Sequence, residues 1–399
     1  MKTIIPQLPL LNYLEKKFNI ETDKPLIGYI CIFIQHLLGS NLSLIHSLEK
    51  SGIKRENLYI IGKAYSSSKE VLSYLECSGY NYVNPIHGYN IDTCYDEILK
   101  NEIRNIMSIA LRNSNLPVIL VDDAAKGIEI IHEDDFRQHL SRFKCIELTT
   151  RGIRELNKIK VACPIVDVAS SSAKRNVESV IIAESMVNEF FHFLNNWRDF
   201  YRPRNRHILL IGYGAIGKNV CQRLSAHFQI SVYDINEAAI LKASKDGMNV
   251  TSDVSKEQYG IIIGCTGLSI GIDLLKTHSD TLFVNMSSSD LEFGLWRFKG
   301  EKGLMRDRYK VRIKENHFHE FYFIKEKCKT FFVANGGFPI DFTGEIDPIH
   351  PNKIQITRAL VFAATLQSSS ELGNGIVELD ARNQKEIVNK YLSYHYGRE

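Results

Sequence analysis

Three glycines, Gly212, Gly214 and Gly217, follow the apolar run HILLI and open at once into the helical pattern KNVCQRLSAHF. Glycine at this spacing lets the backbone approach a pyrophosphate that side chains would block, and lets a helix pack closely on a strand. The helix start, with Ala215 and Ile216 in the same turn, then offers free N–H groups and a positive dipole end to phosphate. A second run, ISVYD, ends in Asp234 at about the 20-residue spacing where a carboxylate accepts from both hydroxyls of a ribose. That charge would repel a 2′-phosphate, so these residues suit NAD better than NADP. Thr266 and Asn285, closing the runs GIIIGCT and TLFVN, are further cofactor-contact candidates.

Such a site needs a parallel sheet with helices on its faces, and short β-branched runs do alternate with helical patterns along the chain. Strands are expected at Leu26 to Ile34, Asn57 to Gly62, Pro117 to Asp123 and Lys144 to Thr150, with a helix at Asp96 to Asn113. A long helix is expected at Val177 to Trp197, followed by the basic linker WRDFYRPRNRH. The strand pattern then restarts at His207 and runs to TFFVANGG, and the tail reads as helices. The predicted fold class is α/β, a doubly wound Rossmann NAD domain inserted into a second α/β substrate domain. The expected boundaries are residues 1–180, 181–337 and 338–399.

Composition narrows the function classes. A chain of 399 residues accommodates two domains of ordinary size. The net charge of +3, with acids and bases interspersed, gives no electrostatic footprint for nucleic acid. Eight cysteines lie scattered, without a C-x-x-C pair or Cys/His spacing for zinc, so no metal is expected and a reducing compartment fits. No run approaches the roughly 18 apolar residues of a membrane helix. The opening MKTIIPQLPLLNYLEKKF does not read as a signal peptide, so a cytoplasmic location is expected.

GYGAIGK followed by ISVYDIN resembles the NAD domain of the S-adenosylhomocysteine hydrolase family, where that domain is likewise inserted mid-chain. The order of further segments is similar. PVILVDDAAKGIEIIHE resembles the family's Asp-Asp strand end, and IELTTRGIREL its Glu-Thr-Thr-Thr-Gly segment. PIVDVASSSAKRNVES resembles its catalytic-lysine segment, and VNMSSSDLE the turn after a later strand. The resemblance implies a retained NAD that takes a hydride from a ribose 3′-hydroxyl. The neighbouring C–H is thereby acidified, a base removes its proton, the 5′ thiol leaves, water adds, and the hydride returns. It also implies a small-molecule nucleoside thioether substrate and a homo-oligomer.

Residue by residue, the resemblance makes Lys174 the catalytic base, with a pKa lowered by burial. It makes Asp123 a substrate carboxylate, His36 the histidine beside the leaving sulfur, and Glu178 a carboxylate in place of an aspartate. Thr149 and Thr150 correspond to threonines that contact NAD, although helix capping or strand propensity also explains them. Other positions depart from the family. Leu148 and Leu38 replace polar substrate contacts, and Ser40 and Asn41 replace the next polar pair. Arg151, Ser179, Ala183, Ser288 and Asp341 replace a threonine, an asparagine, a cysteine, a histidine and an asparagine. Unpaired polar edges of a purine facing two leucines would cost on the order of 1–3 kcal/mol each, which argues for an altered substrate. Two other functions compete: an NAD-dependent dehydrogenase on another metabolite, and a non-catalytic NAD-binding regulator.

Overall fold

The computed structural model describes residues 4–85, 93–196, 205–271, 274, 278, 280–298, 305–314, 317–326 and 329–397. The chain folds as two compact units. The first comprises Met1–Gly88, Asp96–Glu178 and Ile349–Glu399, and the second Tyr89–Tyr95 and Ser179–Pro348. The second unit is thus an insertion. Its far border lies at Pro348, so residues 338–348, expected with the tail, fold with the inserted unit.

Seven parallel strands make the sheet of the first unit. They are β1 (Ile30–Gln35), β2 (Leu58–Gly62), β3 (Asn81–Val83), β4 (Val118–Asp122), β5 (Phe143–Glu147), β6 (Pro164–Asp167) and, late in the chain, a strand at Gly375–Glu378. The spatial order is Gly375–Glu378, β6, β5, β4, β1, β2, β3. Successive strands run outward in both directions from the β1–β4 pair, which is therefore the topological switch point. Runs such as ICIFI and VILV are apolar throughout because both faces of a parallel sheet are covered. The helix Pro351–Ser368 is buried on nearly every side from Ile354 to Ala364. It therefore belongs to the core of the first unit although it follows the insertion.

The sheet of the second unit has β7 (His207–Ile211), β8 (Gln229–Tyr233), β9 (Asn249–Val250), β10 (Ile261–Gly264) and β11 (Thr281–Asn285). It continues with β12 (Met305–Lys314), β13 (His317–Glu326) and β14 (Lys329–Val333). The order is β12-β13-β14-β11-β10-β7-β8-β9, with the switch point between β7 and β10. The strands β7 to β11 and β14 pair in parallel. The β12–β13 hairpin, by contrast, adds an antiparallel edge. The fold class is α/β with a doubly wound Rossmann sheet inserted into a second parallel α/β unit.

Candidate functional site

Ligands of open α/β sheets bind beyond the carboxyl ends of the strands, at the switch point. In the second unit that place is occupied by the glycine turn after β7. Gly212 has φ +99, and a Cβ there would lie 2.9 Å from the Cys265 carbonyl, so both conformation and space demand glycine. A Cβ at 217 would overlap the Gly212 carbonyl oxygen, which makes Gly217 the close-packing glycine between helix and strand. Gly214 differs from both. It is exposed, with nothing among the described residues within 4 Å of where a Cβ would stand.

The helix Ala215–Leu224 begins at Gly214 with no side chain capping it. Its first N–H groups therefore lack intrahelical partners beside open space. Ala215 is exposed and Ile216 half-buried at this start. Asp234 follows β8, half-buried, and accepts from the Tyr213 N–H at 2.7 Å and the Asn236 N–H at 2.8 Å. Each carboxylate oxygen is thus held by one backbone amide and keeps an acceptor position over, since a carboxylate has about four. Open glycine, uncapped helix start and a braced carboxylate with spare acceptors together fit a dinucleotide.

The other two cofactor candidates of this unit are committed internally. Thr266 donates its N–H to Glu292 at 2.8 Å, its hydroxyl lies 2.9 Å from the same oxygen, and that hydroxyl accepts from the Leu268 N–H. Asn285 is fully buried. Its amide donates to the carbonyls of Ser289 and Gly337, its oxygen accepts from the Ser287 N–H, and the Ser287 hydroxyl oxygen lies 2.8 Å from it. Both of its donors and an acceptor position are taken up, so it clamps the strand end. Glu292, which the sequence reading passed over, is the hub of this region. Burial pushes its carboxyl above the usual range, against the pull of Ser287 and the loop amides. The glycine ending β10 was a signal: Gly264 leaves the room that the Glu292 side chain fills.

The switch point of the first unit carries a charged network. Asp123, just past β4, pairs through Oδ1 with Lys63 Nζ at 2.7 Å, and its Oδ2 stands 3.4 Å from His36 Nε2. His36 Nδ1 lies 2.5 Å from the Ser66 hydroxyl, which donates to the Lys63 carbonyl. Burial raises the Asp123 carboxyl, but Lys63 and His36 outweigh it and hold the group well below the usual carboxylate range. Burial lowers the His36 pKa, and the positive charges of Lys63 and Arg358 lower it further against Asp123. His36 and Asp123 therefore meet; Lys63 is a member that sequence reasoning missed.

Two buried carboxylates build the turn that presents Asp123. Asp122 accepts from the N–H groups of Asp123 and Ile128, both at 2.8 Å. Glu147, its register partner on β5, accepts from the N–H of Ala124 at 3.2 Å and of Ala125 at 2.8 Å. Ala124 and Ala125 have φ of +81 and +59, a left-handed region that L side chains rarely adopt without such anchors. Burial, then the charge of Asp122, pushes Glu147 up to about 8, and burial pushes Asp122 up to about 6.

Lys174 is half-buried. It sits in a π-helical turn, Lys174–Glu178, of the kind common at functional sites. Its Nζ pairs with Glu178, the carboxylate one turn on, at 2.7 Å. Glu178 also accepts from the Thr357 hydroxyl at 2.8 Å, and the next residue, Arg358, donates to Ser40 Oγ at 3.1 and 3.2 Å. Thr357 and Arg358 thus bring the Lys174–Glu178 pair and the His36 neighbourhood onto one helix. Thr149 is a helix N-cap: its hydroxyl donates to Glu147 and accepts from the Gly152 N–H at 2.9 Å. Thr150 is exposed in the first turn of that helix. Leu38 and Leu148, at 5% and 3% exposure, are apolar core.

Among the described residues no cluster of His, Cys, Asp and Glu could hold a metal ion, and no helix is long and apolar enough to cross a membrane. No family model matches the chain. The uncharacterized proteins MT0113 and Rv0104 of two Mycobacterium tuberculosis strains are each 25% identical to it over 385 residues, covering 93% of this chain and 71% of theirs. Among solved structures, the A chain of dipicolinate synthase from Bacillus halodurans aligns with a TM-score of 0.33 and 12% identity, over 69% of this chain and 88% of that one. Its counterpart from Bacillus subtilis aligns with a TM-score of 0.33 and 11% identity, over 69% and 86%.

Proposed function

We propose that this chain is an NAD-binding enzyme of the S-adenosylhomocysteine hydrolase type, acting on a nucleoside thioether or a related small metabolite. The observation that carries the cofactor is the exposed Gly214 at the uncapped start of helix Ala215–Leu224, beside the braced Asp234. The backbone of Gly212, Gly214, Ala215, Ile216 and Gly217 would hold the pyrophosphate, and Asp234 the ribose hydroxyls. Bound NAD supplies a reversible hydride acceptor. Titration calorimetry with NAD tests this, and a mass spectrum of small molecules released on denaturation identifies what the protein retains. A chain that neither binds nor releases NAD refutes the reading.

The first unit would hold the substrate. Asp123, fixed by Lys63 and His36, offers a carboxylate acceptor for a hydroxyl. Lys174 Nζ, beside Glu178, is the amine that would face the reacting C–H. Incubation with S-adenosylhomocysteine and a thiol reagent decides the substrate. No released thiol from NAD-loaded protein means that this thioether is the wrong one. A second reading, an NAD-dependent dehydrogenase on another metabolite, is favoured by Leu38 and Leu148, buried apolar residues where the resembled family has polar substrate contacts. Steady growth of nicotinamide absorbance in the presence of added NAD and a hydroxylated metabolite would support it over the first.

A further inference from the structure

We infer that Glu292 is a positioning residue for the dinucleotide crevice: it fixes the Cys265–Gly267 wall against which the glycine turn closes. The inference rests on the reading that this crevice holds NAD. Glu292 is fully buried, and four donors converge on its carboxylate. Oε1 takes the Thr266 N–H at 2.8 Å and faces the Thr266 hydroxyl at 2.9 Å, while Oε2 takes the Gly267 N–H at 3.0 Å and the Ser287 hydroxyl at 2.6 Å. Ser287 is in turn fastened to Asn285 at the end of β11, so one carboxylate ties together the loops that follow β10 and β11.

The tie reaches the glycine turn through backbone. The Cys265 N–H donates to the Ile211 carbonyl at 2.8 Å, and Gly212 lies so close that a Cβ there would be 3.0 Å from Thr266 N. The amides of residues 266 and 267 point to Glu292 and so are not offered to a phosphate. The wall contributes shape, and the phosphate depends on the amides of the helix start. With Glu292 absent, those two amides lose their acceptor, and the surface beside Gly212 is no longer fixed. Gly264 belongs to the same device, because a Cβ there would overlap the Glu292 side chain.

The test is the NAD dissociation constant, by calorimetry well below the melting temperature, of wild type, Glu292→Gln, Glu292→Ala, Gly264→Ala and the Gly264→Ala/Glu292→Ala double variant. Glu292→Gln, which keeps one acceptor oxygen, is expected to weaken binding about tenfold, the size of one lost bond to a charged acceptor, and Glu292→Ala more. Gly264→Ala is expected to weaken binding in wild type and to add nothing once Glu292 is alanine. Hydrogen exchange at Thr266 and Gly267 should quicken in Glu292→Gln, a local readout of the wall itself. Wild-type affinity in Glu292→Gln, or a lower melting temperature with unchanged affinity, overturns the positioning role. Wild-type protein that does not bind NAD overturns the cofactor reading and this inference together.

Discussion

Replacing Asp341 by asparagine should flatten the pH dependence of stability. Asp341 is 4% exposed in the second unit, and among the described residues its Oδ1 has no hydrogen-bond partner. Burial pushes its carboxyl up to about 7, the Ser185 hydroxyl pulls it back, and the charge of Glu189 adds to the rise. The folded state therefore binds this proton more tightly than the unfolded chain, whose aspartate titrates near 3.9. For a raised carboxyl the sign is loss of stability as pH climbs from about 4 to 7, and no further loss above that. Three units at 1.36 kcal/mol each give about 4 kcal/mol in full, of which roughly 3 kcal/mol falls between pH 5 and 8. Asparagine is neutral throughout and has no such loss. Urea unfolding of both proteins at pH 5 and pH 8, read by hydrogen exchange in the second unit, measures the difference. Equal losses in the two proteins would refute a buried, protonated carboxyl at this position.

Further substitutions probe the two sites. Gly214→Ala places a Cβ in open space at a negative φ, so melting should be unchanged while NAD affinity, by calorimetry, falls at least about tenfold; Gly217→Ala should instead destabilise by about 1–3 kcal/mol, through overlap with the Gly212 carbonyl. Lys63→Ala leaves the buried Asp123 carboxylate without its cation and should cost about 3–5 kcal/mol in urea unfolding, with Asp123→Asn in the same chain restoring much of it; a loss under about 1 kcal/mol would mean that the pair is solvated. Thr149→Ala removes the helix cap and one donor to Glu147, and thermal melts should show a loss of about 1 kcal/mol.

The fold was legible where a pattern is local. Apolar runs bounded by Gly, Pro and polar residues located β1, β2, β4, β5, β7, β8, β10, β11 and β14 within a few residues, because strands of a parallel sheet are buried on both faces. The short strands β3, β6, β9 and Gly375–Glu378 escaped. Asn81–Val83 is only partly buried and Gly375–Glu378 alternates half-buried with exposed, so neither shows an apolar run. The β12–β13 hairpin escaped for another reason. MRDRYKVRIK and HFHEFYFIKE mix charges with aromatics, as an edge pairing can, whereas the reading sought continuous apolar cores.

Site residues divide along the same line. The glycine turn and Asp234 are spaced by local geometry, a strand end and the next strand end, so spacing alone located them. Lys63 and Glu292 act through partners 60 and 26 positions away, and no local period records such pairs. The legible trace is indirect: a glycine such as Gly264 inside an otherwise apolar strand marks a place where something must come close. The same logic separates Thr149 from Thr150. Both look alike in a motif, yet only the residue before the first helical turn can cap it, and the cap consumes the hydroxyl that a ligand would need. A motif thus fixes which backbone can bend and approach, while the buried carboxylates Asp122, Glu147 and Glu292 decide which of those backbones stay in place.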